Sequence, residues 1–160
     1  MSRGYSAIGL HQPKCNANVG SVIRACTVYD VSLLVASGRR YSKSATDTTV
    51  GYNHFPFLHN VNDLQEYIPY AAVPVAVDIV PGARNLFDYV HPERAFYIFG
   101  PEDGTLGSSI TSWCRDVVYV PTKHCMNLAA TVNVVLYDRA AKQHRYRKSR
   151  DNIEVGFEFS

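Results

Sequence analysis

Residues 95–110, AFYIFGPEDGTLGSSI, narrow the folds open to this chain more than any other stretch. Residues 95–99 form an almost wholly apolar run of aromatic and β-branched side chains, which suits a buried strand. Gly100-Pro101 stops the run and Glu102-Asp103-Gly104 prolongs the turn. Gly107 then precedes a predicted helix cap at Ser108 or Ser109. A buried strand that ends in a glycine-rich, acid-bearing loop and enters a helix is how open α/β sheets present ligand sites. An ordinary strand–turn–helix connection has the same pattern, so the loop takes its meaning from the rest of the chain.

That rest alternates regularly. Residues 5–10 read as a first strand and 11–17 as a loop. Asn18 reads as the cap of a helix over 19–29, with Val22, Ile23 and Cys26 on its apolar face. A second strand is predicted over 31–36, a polar connection over 37–49 and an extended segment over 52–58. A short helix over 61–67 turns Leu64 and Ile68 inward. The strand over 72–80 has its regular part after Pro74, Pro81-Gly82 breaks it, and 85–90 forms a brief helical turn. After the 95–99 strand come a helix over 109–114, a strand over 116–120 and a long helix over 126–143. In that last helix Leu128, Val132, Val135 and Leu136 recur at helical spacing. Strands alternating with helices predict one α/β domain over 1–160, a mostly parallel sheet with helices on both faces.

Composition excludes several classes. With 46% hydrophobic and 19% charged residues the chain is globular rather than disordered. No apolar run approaches the ~20 residues of a membrane span, and the start MSRGYSAIGL is no secretory signal. Cys15, Cys26, Cys114 and Cys125 form neither a CxxC pair nor a Cys/His cluster, so reduced cytoplasmic thiols and no metal are expected. Net charge is only +2, yet residues 139–150 hold six of the sixteen Lys and Arg residues. A smaller basic knot lies at 38–43. Basic clusters interleaved with aromatics suit nucleic acid, and a solvated tail from about residue 144 has the same composition. Residues 151–160 are compatible with an edge strand or with disorder.

Three strand ends carry unusual chemistry. They read Asn18-Val19-Gly20-Ser21-Val22-Ile23-Arg24 after the first strand and Phe99-Gly100-Pro101-Glu102-Asp103-Gly104 after the fifth. After the last come Val120-Pro121 and Cys125-Met126-Asn127-Leu128. In order, spacing and length these motifs resemble the SpoU-type branch of the SPOUT superfamily, the RNA ribose 2′-O-methyltransferases. The nearest likeness is to the minimal single-domain members that methylate the tRNA wobble ribose. The resemblance runs from about residue 6 to 141.

It implies an α/β domain with a deep C-terminal trefoil knot, against the general rule that chains are unknotted. It also implies S-adenosylmethionine (SAM) as the cofactor, with no metal, and an RNA substrate, tRNA before ribosomal RNA. A homodimer whose protomers share the substrate site goes with it; the rival is an inactive RNA-binding dimer of the same fold. By this likeness the backbone around Val77, Asp78, Gly100 and Val120 receives SAM, and Met126, Asn127 and Leu128 complete the pocket. Glu102 either accepts hydrogen bonds in the site or fixes its loop. Asn18 caps the helix or positions substrate. Arg24 takes part in activating the hydroxyl; a guanidinium is a poor free base, so gripping phosphate and stabilising the alkoxide suits it better. The chain departs from the family at Cys125, where serine is usual, and a thiol donates hydrogen bonds more weakly than a hydroxyl. A Cys125–His124 nucleophile pair is disfavoured, since adjacent side chains rarely meet and no third orienting residue is evident.

Overall fold

A computed structural model describes residues 4–41 and 55–158. The predicted alternation is realised. Strands β1 (Tyr5–Leu10), β2 (Leu33–Ser37), β3 (Phe57–Val61), β4 (Val73–Val77), β5 (Arg84–Asn85), β6 (Arg94–Phe99) and β7 (Asp116–Tyr119) form one sheet. Its order is β3-β2-β1-β6-β4-β7-β5, and every pairing is parallel. Helices α1 (Asn16–Val28), α2 (Ser108–Thr111) and α3 (Leu128–Glu158) cover it, with 3-10 turns at Leu64–Tyr67 and Leu86–Asp88.

Two apolar layers follow from the two-residue period of the strands. On one face Ile8, Leu34, Val75, Tyr97 and Phe99 meet Val19, Val22 and Ile23 of α1 and Val132, Val135 and Leu136 of α3. On the other, Ala7, Val35, Ala76, Phe96 and Ile98 meet Leu64, Leu106 and Ile110. Burial on both faces is why β6 reads as an unbroken apolar run. Full burial of one such side chain contributes roughly 1.5–3 kcal/mol.

Several boundaries differ from expectation, each for a local reason. Helix α1 begins at Asn16, so Asn18 lies inside its first turn and is not the cap; Cys15 holds that position with no side-chain cap bond. Strand β2 starts at Leu33 rather than residue 31, because Val31 is used to close α1. Its N–H donates to the Cys26 carbonyl at 2.9 Å while Asp30 takes the left-handed conformation (φ 55°) usually given to glycine. Pro74 lies within β4. Its carbonyl accepts from Arg115 N–H at 3.0 Å on the side where β7 pairing begins only at Asp116, so the N–H it lacks costs no ladder bond.

The two-residue strand β5 is too short to be seen in periodicity, and it pairs with Val118 and Tyr119 of β7. The cap of α2 is Gly107 (φ 76°), and the helix ends at Thr111 instead of residue 114. Helix α3 continues beyond residue 143 through the basic segment to Glu158, so 151–158 is neither an edge strand nor disordered. The extended segment expected over 52–58 is strand from Phe57 on. Residues 52–54, 42–49 of the polar connection, and Ser42 and Lys43 of the basic knot lie outside the described residues. No helix among the described residues is long and apolar enough to cross a membrane.

Candidate active site

The strands all point one way, so their C-terminal ends share one edge of the sheet. There the ends of β4, β6 and β7 open on a cleft of about 460 Å³. Its walls are Asn18 from α1, Val77, Asp78 and Ile79 after β4, and Phe99, Gly100, Pro101, Glu102 and Gly104 after β6. The segment after β7 adds Val120, Thr122, Cys125, Met126 and Asn127, and α3 adds Leu128 and Thr131. Every site residue expected from sequence lines this cleft except Arg24, which is exposed on α1 and lies outside it. From Asn18, Arg24 is about 9 Å along the helix and roughly 120° round its axis.

Glu102 joins two of the sequence motifs. Its Oε2 accepts the Lys14 N–H at 2.9 Å. Its Oε1 accepts the Cys15 N–H and the Asn18 side-chain amide, each at 3.2 Å. The carboxylate thus takes up donors just ahead of α1 and inside its first turn, which explains a helix start without a side-chain cap. Burial pushes the pKa of Glu102 up. Hydrogen bonds from its own N–H, from Lys14, Asn18 and Cys15 outweigh that, and the net shift is downward. Of the two roles open to Glu102, fixing its loop is the one these bonds perform.

Asp78 works similarly across the cleft. Its Oδ2 accepts the Leu106 N–H at 3.0 Å and its Oδ1 the Ile79 N–H at 2.8 Å, so the end of β4 holds the loop that follows β6. Asn127 caps α3, its Oδ1 accepting the Ala130 N–H at 2.8 Å. The cap position of α1, expected at Asn18, falls instead to Cys15. Cys125 is a free, exposed thiol on the cleft wall, and His124 is exposed beside it.

Sequence reading missed a second tie. Arg40, from the basic knot, grips Asp103 with both terminal nitrogens (2.9 and 3.1 Å) and also donates to the Gln12 carbonyl. Lys14 stands 3.9 Å from Asp103. The side-chain hydrogen bond from Arg40 is the main cause of a lowered Asp103 pKa. The loops after β1, β2 and β6 are thereby fastened together beside the cleft. Arg40 is engaged by protein, unlike the phosphate contact its composition suggested. Thr131 was also missed, although its place four residues after Asn127 puts it one helical turn along the same face.

Residues 6–137 match the model of the SpoU rRNA Methylase family. The chain belongs to that family. Solved structures agree on the fold. The SpoU methyltransferase AviRb from Streptomyces viridochromogenes superposes with TM-score 0.78 at 19% identity, over 90% of this chain and 62% of that one. The same protein in complex with AdoMet gives 0.77 at 18%, over 88% and 58%. A protein solved in work on 2-OH methylation of C/U34 on tRNA gives 0.75 at 19%, over 88% of this chain and 97% of that one. The chain thus spans less than two thirds of AviRb but nearly all of the last. No curated protein sequence gives a significant match. For the SpoU family member described here, the matched span takes in every cleft residue named above and stops within α3.

Proposed function

We propose that this chain is a SAM-dependent RNA methyltransferase that modifies a ribose 2′-hydroxyl, acts on tRNA and works as a cytoplasmic homodimer. One observation carries the reading. Three motif segments from separate strand ends meet in one cleft, and the only expected residue left outside is Arg24. A shared site accounts for that: Arg24 of one copy would serve the cleft of the other. The expected trefoil knot belongs to the same reading, supported by β7 lying between β4 and β5, two strands that precede it in the chain.

The cleft suits SAM. Its volume falls in the range of small-ligand sites. A Cβ built on Gly100 would sit 3.4 Å from Leu106, a contact and not a clash, so packing alone does not demand glycine there. Close approach of a ligand to the backbone does. The backbone around Val77, Asp78, Gly100 and Val120, with Met126, Asn127 and Leu128, would hold the cofactor. Bound there, SAM supplies a methyl group on a sulfonium that the ribose oxygen can attack directly. Glu102 keeps the loops in place so that donor and acceptor can lie in line. Arg24 would hold the RNA phosphate bidentately and stabilise the developing alkoxide, the proton leaving to phosphate or water. Cys125, at the usual serine position, would offer substrate a weaker hydrogen bond.

The test is labelled-methyl transfer from SAM to unmodified tRNA, with the product resolved to nucleosides. Label on a 2′-oxygen, reduced at least about 100-fold by Arg24→Ala, is the expected result. A faster Cys125→Ser variant would mark the cysteine as a tolerated weakening. Transfer to ribosomal RNA instead would favour the alternative that the family's name suggests. A protein that binds no SAM would be the inactive RNA-binding dimer.

A further inference from the structure

Helix α3 changes character along its length. Its first turn lines the cleft through Leu128 and Thr131. It then runs back along the sheet and is tied to the opposite edge. Asp138 meets His91 at 2.7 Å, and Arg139 donates to the carbonyls of Tyr5 and Glu93, just at or before the starts of β1 and β6. Lys142 donates to the carbonyls of Leu86 and Tyr89. Beyond these anchors all of residues 144–150 (HRYRKSR) are exposed, so the helix leaves the body of the domain.

That exposed segment has Arg145, Arg147, Lys148 and Arg150 distributed around the axis, with no acidic residue between Asp138 and Asp151. It offers no apolar stripe, since Tyr146 (67% exposed) is its only large apolar ring. A hydrophobic protein groove or a membrane surface would need such a stripe. A cationic rod without one matches a polyanion that presents phosphates along a length, and Tyr146 adds a face for a base. At 1.5 Å per residue the rod begins about 20 Å beyond Thr131. It is too far from its own cleft to touch the nucleotide held there.

We propose that residues 144–150 of α3 grip the RNA substrate at a distance, on phosphates remote from the ribose being methylated. The inference rests on the RNA reading above. It requires a substrate large and structured enough to span from cleft to rod. The rod then contributes affinity and plays no part in the chemical step.

The test is a variant with Arg145→Gln, Arg147→Gln, Lys148→Gln and Arg150→Gln; glutamine preserves helix propensity. Its thermal melt should match wild type, because the replaced side chains are exposed. Binding to an unmodified tRNA transcript is measured against salt, and kcat and KM are measured on that transcript and on a short unmodified stem-loop carrying the target nucleotide. The slope of log affinity against log salt should become shallower by about 2 to 4. KM for the transcript should rise roughly tenfold or more with kcat nearly unchanged, while the stem-loop is unaffected. A variant with Arg145→Lys, Arg147→Lys and Arg150→Lys should bind as wild type, since phosphate contacts need charge only. An unchanged salt slope, an equal loss on the stem-loop, or binding of wild type to anionic vesicles and not to RNA would overturn the proposal. A salt slope made shallower by the four substitutions, in a protein that transfers no methyl group, would sustain the RNA grip and refute the enzymatic reading instead.

Discussion

The carboxylate of Glu102 accepts a hydrogen bond from the side chain of Asn18, 84 residues away, at 3.2 Å. This contact joins the glycine-rich loop after β6 to the first turn of α1, and with the Lys14 and Cys15 N–H groups it leaves Glu102 little freedom. The two sequence motifs are parts of one hydrogen-bonded unit.

Replacing Glu102 with Gln should loosen that unit. An amide offers one accepting oxygen where the carboxylate offers two, so at least one backbone N–H loses its partner. These bonds are exposed, so we expect a stability loss of only about 0.5–1 kcal/mol in urea titrations, with SAM affinity several-fold weaker by calorimetry. An unchanged affinity would show that the loop holds without the carboxylate.

The pH dependence follows in sign. The folded-state pKa of Glu102 lies below its ordinary value of 4.5, so the stabilisation is fully present above that value. It is lost as pH falls through the lower, folded value. Wild type should therefore lose stability on acidification below about pH 4.5 more steeply than Glu102→Gln, and parallel acid limbs in the two unfolding series would contradict this.

The Arg40–Asp103 pair should act on the site through the loops it joins. Asp103→Asn is expected to weaken SAM binding a few-fold, and Arg40→Asp combined with Asp103→Arg to restore part of it. Both side chains are largely exposed, so high salt should shrink the difference between wild type and Asp103→Asn. If the double variant is weaker than either single one, the pairing is not what positions the loop.

Asn127 can be separated into a cap and a ligand contact. Asn127→Ala should cost about 1 kcal/mol of stability through loss of the bond to Ala130, while Asn127→Asp should keep that bond. A loss of SAM affinity in the Asp variant, with its melt intact, would assign the Asn127 amide a direct part in binding.

Arg139 should be costly to replace. It is 6% exposed and donates to Pro92, Tyr5 and Glu93 carbonyls and the Tyr97 hydroxyl. Arg139→Met would strand several of these acceptors in the interior, and we expect about 3 kcal/mol of destabilisation by denaturant unfolding. A loss below about 1 kcal/mol would mean that water replaces the guanidinium there.

The sheet and the neighbourhood of the site were legible in the sequence because both depend on local pattern. Apolar runs of aromatic and β-branched residues such as AFYIF suit strands buried on two faces, and the alternation with helices favours parallel pairing. Motif order then placed Gly100 and Glu102 at a strand end and Asn127 at the entrance of the last helix, where the structure has them. What escaped were features decided by partners distant in sequence. Asn18 has the side chain of a cap, yet it lies inside the first turn of α1. Glu102 takes up its side-chain amide beside the cleft, and α1 starts earlier, at Asn16, with Cys15 in the cap position.

Strand β5 exists only because β7 runs beside it, and Pro74 is tolerated only because β7 starts one residue too late to need its N–H. The basic segment after residue 143 read as a tail by composition. It is helix because α3, anchored through Asp138, Arg139 and Lys142, has already met the cost of nucleation before the charges begin. Local chemistry thus determined which segments are strands and where a ligand would sit. Only the tertiary structure decided which polar groups face each other, because hydrogen-bond partners are chosen by proximity in space, and periodicity records no distance between residues 18 and 102.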